Sequence, residues 1–424
     1  MKKEFLNIKH AHLFLLINFL LITVLILRDI FYMQNGVLGN HNDSGLTEWL
    51  INYQGGFGKR GLPGEIFYQL NNYINIQANY LWIVICLSSY FILLYFFLKK
   101  IKNIFSIELI TSTIVLGMPV YTGFLWKKDV FGILLLLFCL QLFKLRSLFS
   151  LKFILINLIS IIALLSHETF IFYGFAPLYF ISFFLWNKKN NLFKKFFMSA
   201  FFFSPTIFIC IIVLFEIGSS SVMTSFERAH LIHHSWDSLW LKIEGSIPDT
   251  PGGSLHYLSY VNFENAFFWE LNIFERPITF LSWFFLIFLC FIFIINMSFS
   301  TSLKNRILLF KILFSQLLFV SPLFLMPVSG DWSRWIFFWT ASSLAIFLFK
   351  FKYWITEFSH FDGFLKILLN SKIFNFKLKN WKLFLIGFPY VNHMMSPFNY
   401  FMVTPIGKSL AGLKKLLFYL YNFL

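Results

Sequence analysis

The chain has 424 residues, of which 58% are hydrophobic and only 13% are charged, and it contains 62 phenylalanines. This composition excludes an ordinary soluble domain and predicts an all-α fold, a polytopic bundle of transmembrane helices. The formal net charge of +16 does not indicate nucleic-acid binding, because the basic residues form short clusters between apolar runs. The four cysteines lie inside apolar runs without metal-ligand spacing, which predicts buried thiols and no metal site.

A transmembrane helix needs roughly 20 apolar residues, with about 17 as the lower limit. The first apolar run is followed by Arg28 and Asp29 and lacks a small-residue cleavage site, so we expect a retained span and no cleaved signal peptide. In chain order, ten spans are predicted, a few of them marginal in length, near residues 11–28, 79–98, 105–126, 130–143, 153–166, 169–186, 196–217, 277–297, 307–328 and 335–350.

Basic clusters occur at the start of the chain and then in every second connection between these spans. The positive-inside rule places all of them on the cytoplasmic side, with both termini there. The clusters are Lys2, Lys3 and Lys9; Lys99, Lys100 and Lys102; Lys144, Arg146 and Lys152; Lys188, Lys189, Lys194 and Lys195; and Lys304 and Arg306.

The sequence divides into a membrane bundle over residues 1–350 and a tail over residues 351–424. An eleventh span at 383–403 is an alternative, but it contains Pro389 and Pro397 and would move Lys408, Lys414 and Lys415 outside. We therefore expect an interfacial or re-entrant segment there, followed by a short amphipathic helix on the inner surface.

Two long outer loops follow from this topology, at residues 29–78 and 218–276. The first contains the stretch "YQGGFGKRGLPGE", in which Lys59 and Arg60 do not serve the positive-inside rule. The flanking Gly58 and Gly61 lack a Cβ, so we expect this backbone to approach a ligand closely.

Three predicted outer turns also carry charges that membrane orientation does not explain. The first has Lys127, Lys128 and Asp129, the second has His167 and Glu168, and the third has Asp331 and Arg334.

Segment length suggests that two of these turns lie below the membrane surface. Residues 153–186 must cross twice, but at about 1.5 Å per residue they reach only ~51 Å, against ~60 Å for two full crossings. The run 130–143 is also short. Ionised groups at such depth usually pair with one another or face a watered cavity. We therefore predict a polar cavity that opens outward.

Recessed basic groups beside carboxylates suit a lipid-linked phosphate or diphosphate whose tail stays in the bilayer. Arginine and lysine neutralise phosphate oxygens, and a carboxylate can deprotonate an acceptor hydroxyl. The candidate phosphate-binding residues are Lys59, Arg60, Lys127, Lys128, Asp129 and Arg334. The candidate catalytic residues are Glu168 as a base, His167 as a sugar or phosphate contact, Arg60, Arg334, Asp331 and Asp43.

At this point the chain resembles bacterial O-antigen and capsule repeat-unit polymerases of the Wzy type, and more loosely the multi-span GT-C glycosyltransferases. The similarity lies in the span number, the recessed outer charges, the long outer loop, and the segments "GGFGKRGLPGE" and "GDWSRW". It covers about the first 350 residues and is one of architecture.

This resemblance implies a glycosyltransferase of the bacterial inner membrane. It implies transfer of glycan from undecaprenyl diphosphate on the periplasmic face, with no cofactor, although the sequence leaves a divalent cation open. It further implies arginine-dependent chemistry, for which Arg60 and Arg334 are candidates, and a base at Asp29, Asp43 or Glu48. The implied partners are the lipid-linked oligosaccharide, membrane lipid, a chain-length regulator and a flippase.

Each candidate also has a purely structural interpretation. Lys59 and Arg60 can anchor the loop to anionic headgroups, Arg334 can pair with Asp331, and the turn at 167–168 can be a helix cap. The string "HLIHHSWD" has a spacing compatible with metal ligands, but an ordinary polar loop is favoured. A transporter and a membrane acyltransferase are the competing classes of function.

Overall fold

The structure is a computed structural model that describes residues 2–34, 39–101, 107–145, 149–186, 191–215, 223–260, 277–297, 302–320, 332–349, 359–371, 374, 385–387 and 404–423. Every regular element in these ranges is a helix, and no strand occurs in them. The all-α prediction is therefore confirmed for the described part of the chain.

The helices vary from one turn to 33 residues. They are α1 (Lys2–Gln34), α2 (Ser44–Trp49), α3 (Gly61–Ile74), α4 (Ala78–Ile101), α5 (Ile107–Ile110), α6 (Met118–Thr122), α7 (Asp129–Lys144), α8 (Phe149–Ser166), α9 (Ala176–Leu185), α10 (Leu192–Phe202), α11 (Ser204–Phe215), α12 (Ser225–His234), α13 (Asp237–Glu244), α14 (Gly253–Tyr260), α15 (Pro277–Met297), α16 (Leu303–Val320), α17 (Trp332–Phe349), α18 (Asp362–Asn370) and α19 (Pro405–Phe423). A π-helical turn (Ile171–Phe175) precedes α9, and 3₁₀ turns occupy Phe124–Trp126 and Ser359–Phe361.

Three helices in the described residues are long and apolar enough to cross a membrane. They contain the segments Leu13–Tyr32, Ala78–Lys100 and Phe149–Ser166, and the bent pair α10 and α11 would make a fourth. Shorter apolar helices lie at Ile171–Leu185, Phe285–Met297 and Arg334–Phe349. These helices support a membrane protein, but they do not confirm a bundle of ten or eleven spans.

The predicted third span, residues 105–126, is wrong as a continuous helix. The chain there forms α5, then turns, then α6 and a 3₁₀ turn. The Ser112 hydroxyl donates to the Leu109 carbonyl at 2.7 Å, a local bond that competes with helix hydrogen bonding. Gly117 and Pro119 then restart the chain as α6, with the proline in the first turn, where its missing N–H costs nothing.

The predicted seventh span, residues 196–217, is broken as well. Helices α10 and α11 meet at an angle of 75°. The break falls at Phe203, two residues before Pro205, which has no backbone N–H and so cannot continue the helical ladder. The bend is sharper than a kink within one span.

Helix α7 lies at the centre of the described bundle. It packs against α4, α8 and α17, and α17 packs in turn against α16. Three chain turns therefore meet at one end of the bundle: the start of α7, the end of α8 and the start of α17. Each of them carries charged residues singled out in the sequence.

The two outer loops pack against each other. The Trp236 indole donates to the Leu50 carbonyl at 2.9 Å, and His41 Nδ1 lies 2.7 Å from a carboxylate oxygen of Glu244. Helix α14 packs on α2 and α12. The described parts of these loops thus form one folded unit, in keeping with their predicted placement on one side.

The C-terminal helix α19 packs along α1. Its contacts fall at the end of α1 from which the first loop departs: Lys415 lies 5.2 Å from the centre of the Tyr32 ring, and Gly412 lies against Arg28. The sequence predicted this helix on the inner surface; these two contacts lie at the end of α1 that is remote from Lys2. The alternative eleventh span at 383–403 lies outside the described residues, apart from 385–387.

The glycines of "YQGGFGKRGLPGE" serve the packing of the loop itself. A Cβ at Gly61 would overlap the Tyr53 ring, and a Cβ at Gly64 would overlap the backbone carbonyl of Ile51. The Glu65 carboxylate closes the same loop by accepting from the Tyr53 N–H at 3.1 Å. At Gly61, close backbone approach is therefore used between α3 and its own loop and not toward a ligand; at Gly58 an added Cβ would meet only the Arg228 guanidinium, at 3.7 Å.

We predict that Gly64→Ala lowers the melting temperature and the folded yield in detergent. The added methyl meets a backbone oxygen that cannot rotate away, and overpacking of this kind costs about 1–3 kcal/mol. The matched control is Gly363→Ala in α18, where an added Cβ meets open space. Equal melting temperatures for the two variants would contradict this packing.

Candidate functional site

Seven ionisable side chains from five separate segments form one group, here called the charged cluster. Its members come from α2, the loop before α3, the turn at the start of α7, the turn after α8 and the first part of α17. They are Glu48, Arg60, Lys128, Asp129, His167, Glu168 and Arg334. Six of the seven belong to the sequence-predicted site set, and Glu48 was one of three alternatives for the base.

The charged cluster contains a buried ion pair between Arg334 and Asp129. Arg334 Nε donates to Asp129 Oδ2 at 2.8 Å, and Arg334 Nη2 donates to Asp129 Oδ1 at 2.7 Å. The side chains are 9% and 0% exposed, respectively. Asp331, the partner expected for Arg334, lies outside the described residues.

The second ion pair, Arg60–Glu168, lies at the edge of the charged cluster. Arg60 Nε donates to Glu168 Oε2 at 2.8 Å, and Arg60 Nη2 donates to Oε1 at 2.5 Å. The side chains are 29% and 21% exposed, so this is the part of the cluster that solvent reaches. Arg60 has a φ of 65°, a left-handed conformation that non-glycine residues rarely adopt and that often marks functional sites.

Lys128 connects the cluster to the first loop. Its Nζ donates to the Arg60 carbonyl at 2.8 Å and lies 5.7 Å from the centre of the Trp49 ring. Burial lowers the pKa of Lys128 to about 7, with the positive charge of Arg60 acting in the same direction. Lys128 is therefore close to half-protonated at neutral pH.

His167 is neutral in this arrangement. Burial, assisted by the charge of Arg60, lowers its pKa to about 3. Arg334 Nη2 lies 3.1 Å from His167 Nε2, and because arginine only donates, Nε2 accepts. On its other side, Nδ1 lies 2.8 Å from the Thr169 hydroxyl and 3.3 Å from the Thr169 backbone nitrogen. His167 cannot act as a general acid at neutral pH.

Glu48 occupies the interior of the charged cluster. The residue is 1% exposed, and its Oε1 lies 3.4 Å from His167 Nε2 and 3.7 Å from Arg334 Nη2. Burial is the largest single effect and opposes ionisation, but the surrounding positive charges, with Arg334 first and then Arg60 and Lys127, together outweigh it, so the pKa of Glu48 falls to about 2. Within the described residues this oxygen has no hydrogen-bond partner.

The other two candidate bases of the first loop have structural partners. Asp43 caps α2, where its Oδ1 accepts from the N–H groups of Gly45 and Leu46 at 2.6 and 3.0 Å. Asp29 accepts from Arg28 at 2.7 Å and from the Trp126 indole at 2.8 Å. The cap directs α2 so that Glu48, and not Asp43, reaches the cluster.

Trp126 positions the turn that carries Lys128 and Asp129. Its carbonyl accepts from the indoles of Trp49 and Trp82, at 3.1 and 2.8 Å. These two hydrogen bonds to one carbonyl oxygen join α2 and α4 to the turn. No local pattern in the sequence predicts these contacts, because the three tryptophans are separated by 33 or more residues.

The two remaining lysines lie beside the cluster. Lys127 Nζ lies 5.2 Å from the centre of the Phe124 ring, and the Arg334 guanidinium lies 5.5 Å from the same centre. Lys59 precedes Arg60 on the loop and is half-buried.

The histidine string does not form a metal site in the described residues. His233 is buried, with Nε2 3.0 Å from the Pro248 carbonyl, and its ring stacks on Trp240. His234 lies 3.4 Å from Asp237. Among these residues no group of three histidine, cysteine or acidic side chains is placed to hold a metal ion.

Comparisons of the chain with protein-family models, curated proteins and solved structures found no match. The family resemblance noted in the sequence thus has no independent support from a relative.

We predict that Arg334→Met destabilises the protein by about 3–5 kcal/mol, since it leaves Asp129 buried without its countercharge. The double variant Arg334→Met/Asp129→Leu should recover most of this loss. The measurement is thermal unfolding in detergent. His234→Gln, which breaks an exposed contact, is the control and should change little. A double variant as unstable as the single one would contradict the pairing.

Lys128→Met should change the pH dependence of stability. The folded pKa near 7 lies below the unfolded value of about 10.5, so the unfolded chain binds the additional proton between these pH values. The cost of burying Lys128 is complete below pH 7 and decreases as the pH rises to about 10. The melting temperature of Lys128→Met relative to the original chain should therefore fall over that range; a constant difference would contradict the lowered pKa.

Proposed function

We propose that the protein is a membrane glycosyltransferase that transfers glycan from a polyprenyl-diphosphate donor, as a polymerase of O-antigen or capsule repeat units. In this proposal it has ten or eleven spans in a bacterial inner membrane, and the charged cluster faces the periplasm. The observation that carries the proposal is the solvent-reachable Arg60–Glu168 pair at the edge of an otherwise buried charged cluster.

Arg60 is the group that would take the diphosphate. A guanidinium binds two oxygens of a carboxylate or of a phosphate in the same planar geometry, so a diphosphate can replace Glu168 on Arg60. Arg334 is too deeply buried for this exchange, because its partner Asp129 is fully covered. Lys59 and Lys127 lie near enough in sequence to Arg60 and Lys128 to add charge at the entrance.

Glu168 would act as the general base once Arg60 has moved to the diphosphate. The Arg60 charge holds the pKa of Glu168 well below its ordinary value against the opposing effect of burial, and loss of that contact raises the pKa. The carboxylate then takes the proton of the acceptor hydroxyl, whose oxygen bonds to the anomeric carbon. The bond from that carbon to the diphosphate breaks, and the diphosphate leaves with the electron pair.

The buried half of the cluster would hold these groups in place. Arg334 is fixed by Asp129 and donates to His167, the residue next to Glu168. Lys128 holds the backbone of Arg60. Glu48 stays ionised and offsets the buried positive charge, which fits a counterion better than a base, because a carboxylate with a pKa near 2 is a weak base.

A transporter is the second candidate, and one observation favours it. The cluster contains three basic groups, Arg60, Lys128 and Arg334, and three carboxylates, so it is nearly balanced in charge without a ligand. Paired charges of this kind also line ion pathways in membranes. The two functions differ in whether the carboxylate of Glu168 is needed for chemistry or only for charge balance.

We predict that Glu168→Gln, produced at the normal level, shortens the surface glycan to single repeats, since loss of a general base costs about 10²–10⁴ in rate. The measurement is glycan chain length in cells that depend on this protein. Glu227→Gln is the control, because Glu227 is an exposed member of a helix capping box that glutamine also satisfies.

The double variant Arg60→Gln/Glu168→Gln separates chemistry from structure. It removes both charges of the pair, so it should restore any stability that Glu168→Gln loses, while the glycan stays short. Glycan of normal length in the double variant would reduce the pair to a structural role and refute the proposed chemistry.

A further inference from the structure

A second candidate site lies far from the charged cluster, at the other end of α8. A groove of about 430 Å³ opens there between the start of α8, the end of α9 and helix α10, lined by Phe149, Trp186, Lys194, Phe197, Met198 and Phe201. Helix α8 has 18 residues and therefore separates the groove from His167 by about 27 Å.

Aromatic side chains in contact with one another build the walls of the groove. The Phe149 ring lies 6.0 Å from the Trp186 ring, and the Trp186 indole donates to the Ser199 hydroxyl of α10 at 3.0 Å. This bond fixes α10 against the end of α9. The groove is consequently a formed feature of the bundle, and its apolar lining requires an apolar occupant.

Helix α10 has the character of a helix that lies at a membrane surface. Leu192, Phe193 and Phe201 are 72–75% exposed, while Lys195 and Phe202 face inward. With 11 residues, α10 is too short to span a bilayer, and the chain turns by 75° into α11. Exposed phenylalanines on such a helix enter the acyl chains, while Lys194 stays at the headgroup level.

The part of the sequence that supplies the groove is rich in basic residues. Between residues 130 and 215 the sequence has seven basic residues and a single acidic one, Glu168, which belongs to the opposite end of α8. The basic residues are Lys144, Arg146, Lys152, Lys188, Lys189, Lys194 and Lys195. Lys194 is exposed at the groove itself. A molecule with an anionic headgroup next to an apolar chain would match both the basic rim at Lys194 and the apolar walls of the groove.

We propose that this groove binds one anionic phospholipid of the inner leaflet, with an acyl chain along Phe149, Trp186 and Phe201 and the headgroup phosphate on Lys194. Trp186 fits a groove at the membrane surface, because tryptophan concentrates at the membrane–water boundary. The site is independent of the glycosyltransferase proposal and requires only that the protein resides in a membrane.

Native mass spectrometry of the purified full chain tests the headgroup contact. Given equal amounts of phosphatidylglycerol and phosphatidylcholine, the original chain should retain phosphatidylglycerol preferentially, and Lys194→Gln should reduce that preference about fivefold, the effect of one lysine charge. Lys242→Gln, an exposed lysine of α13, is the matched control and should leave the preference unchanged. Equal retention of the two lipids, or an unchanged preference in Lys194→Gln, would overturn the proposal.

A phosphatidylglycerol with a diazirine in its acyl chain tests the groove itself in proteoliposomes. Crosslinks should concentrate at Phe149, Trp186 and residues 197–201, and Met198→Trp, which fills the groove, should reduce them while the melting temperature stays close to that of the original chain. Crosslinks spread over all apolar helices would refute a defined site. Displacement of the probe by undecaprenyl phosphate, but not by unlabelled phosphatidylglycerol, would assign the groove to the polyprenyl lipid and overturn the phospholipid assignment.

Discussion

The ion pair between Arg334 and Asp129 fixes the geometry of the charged end of the bundle. It joins α17 to α7, two helices 205 residues apart in sequence, through two hydrogen bonds that are closed to solvent. A buried charge without its partner is strongly destabilising, so neither side chain can move far while the helices stay packed. Because Arg334 also donates to His167, the pair determines where the turn carrying Glu168 lies.

The buried interior of the charged cluster contrasts with its partly exposed edge, the Arg60–Glu168 pair. Arg60 and Glu168 form the same kind of two-oxygen contact, but each remains partly exposed, and Arg60 holds a left-handed backbone conformation. A site that must exchange a carboxylate for a phosphate needs such an edge beside a fixed interior. The charged cluster therefore combines a fixed frame with one exchangeable ion pair, and the proposed chemistry uses only the exchangeable pair.

Much of the cluster could be identified from the sequence, because charges in apolar chains are conspicuous. Lys128, Asp129, His167 and Arg334 all stood in turns where membrane orientation did not require them. The sequence alone did not show which of these residues pair with one another. Spacing suggested Asp331, which lies outside the described residues, as a partner of Arg334; the contact of the guanidinium with Asp129 comes from another helix, and spacing could not reveal it.

Helix breaks were the other limit of the sequence. Hydropathy predicted single spans at 105–126 and 196–217, whereas local hydrogen bonds of serine and the missing N–H of proline divide both. Asp43 and Glu48 show the same limit at the level of a site. Both are acidic residues of one loop, and only the capping geometry of α2 makes one a helix cap and directs the other into the cluster.

The most direct test of the account is binding of radiolabelled undecaprenyl diphosphate to the purified protein in nanodiscs, compared with undecaprenol and with the variant Arg60→Gln. We predict saturable binding of the diphosphate, no comparable binding of the alcohol, and loss of diphosphate binding in Arg60→Gln while this variant still folds. Equal binding of both lipids, or diphosphate binding that persists in Arg60→Gln, would contradict the assignment of the charged cluster as a diphosphate site.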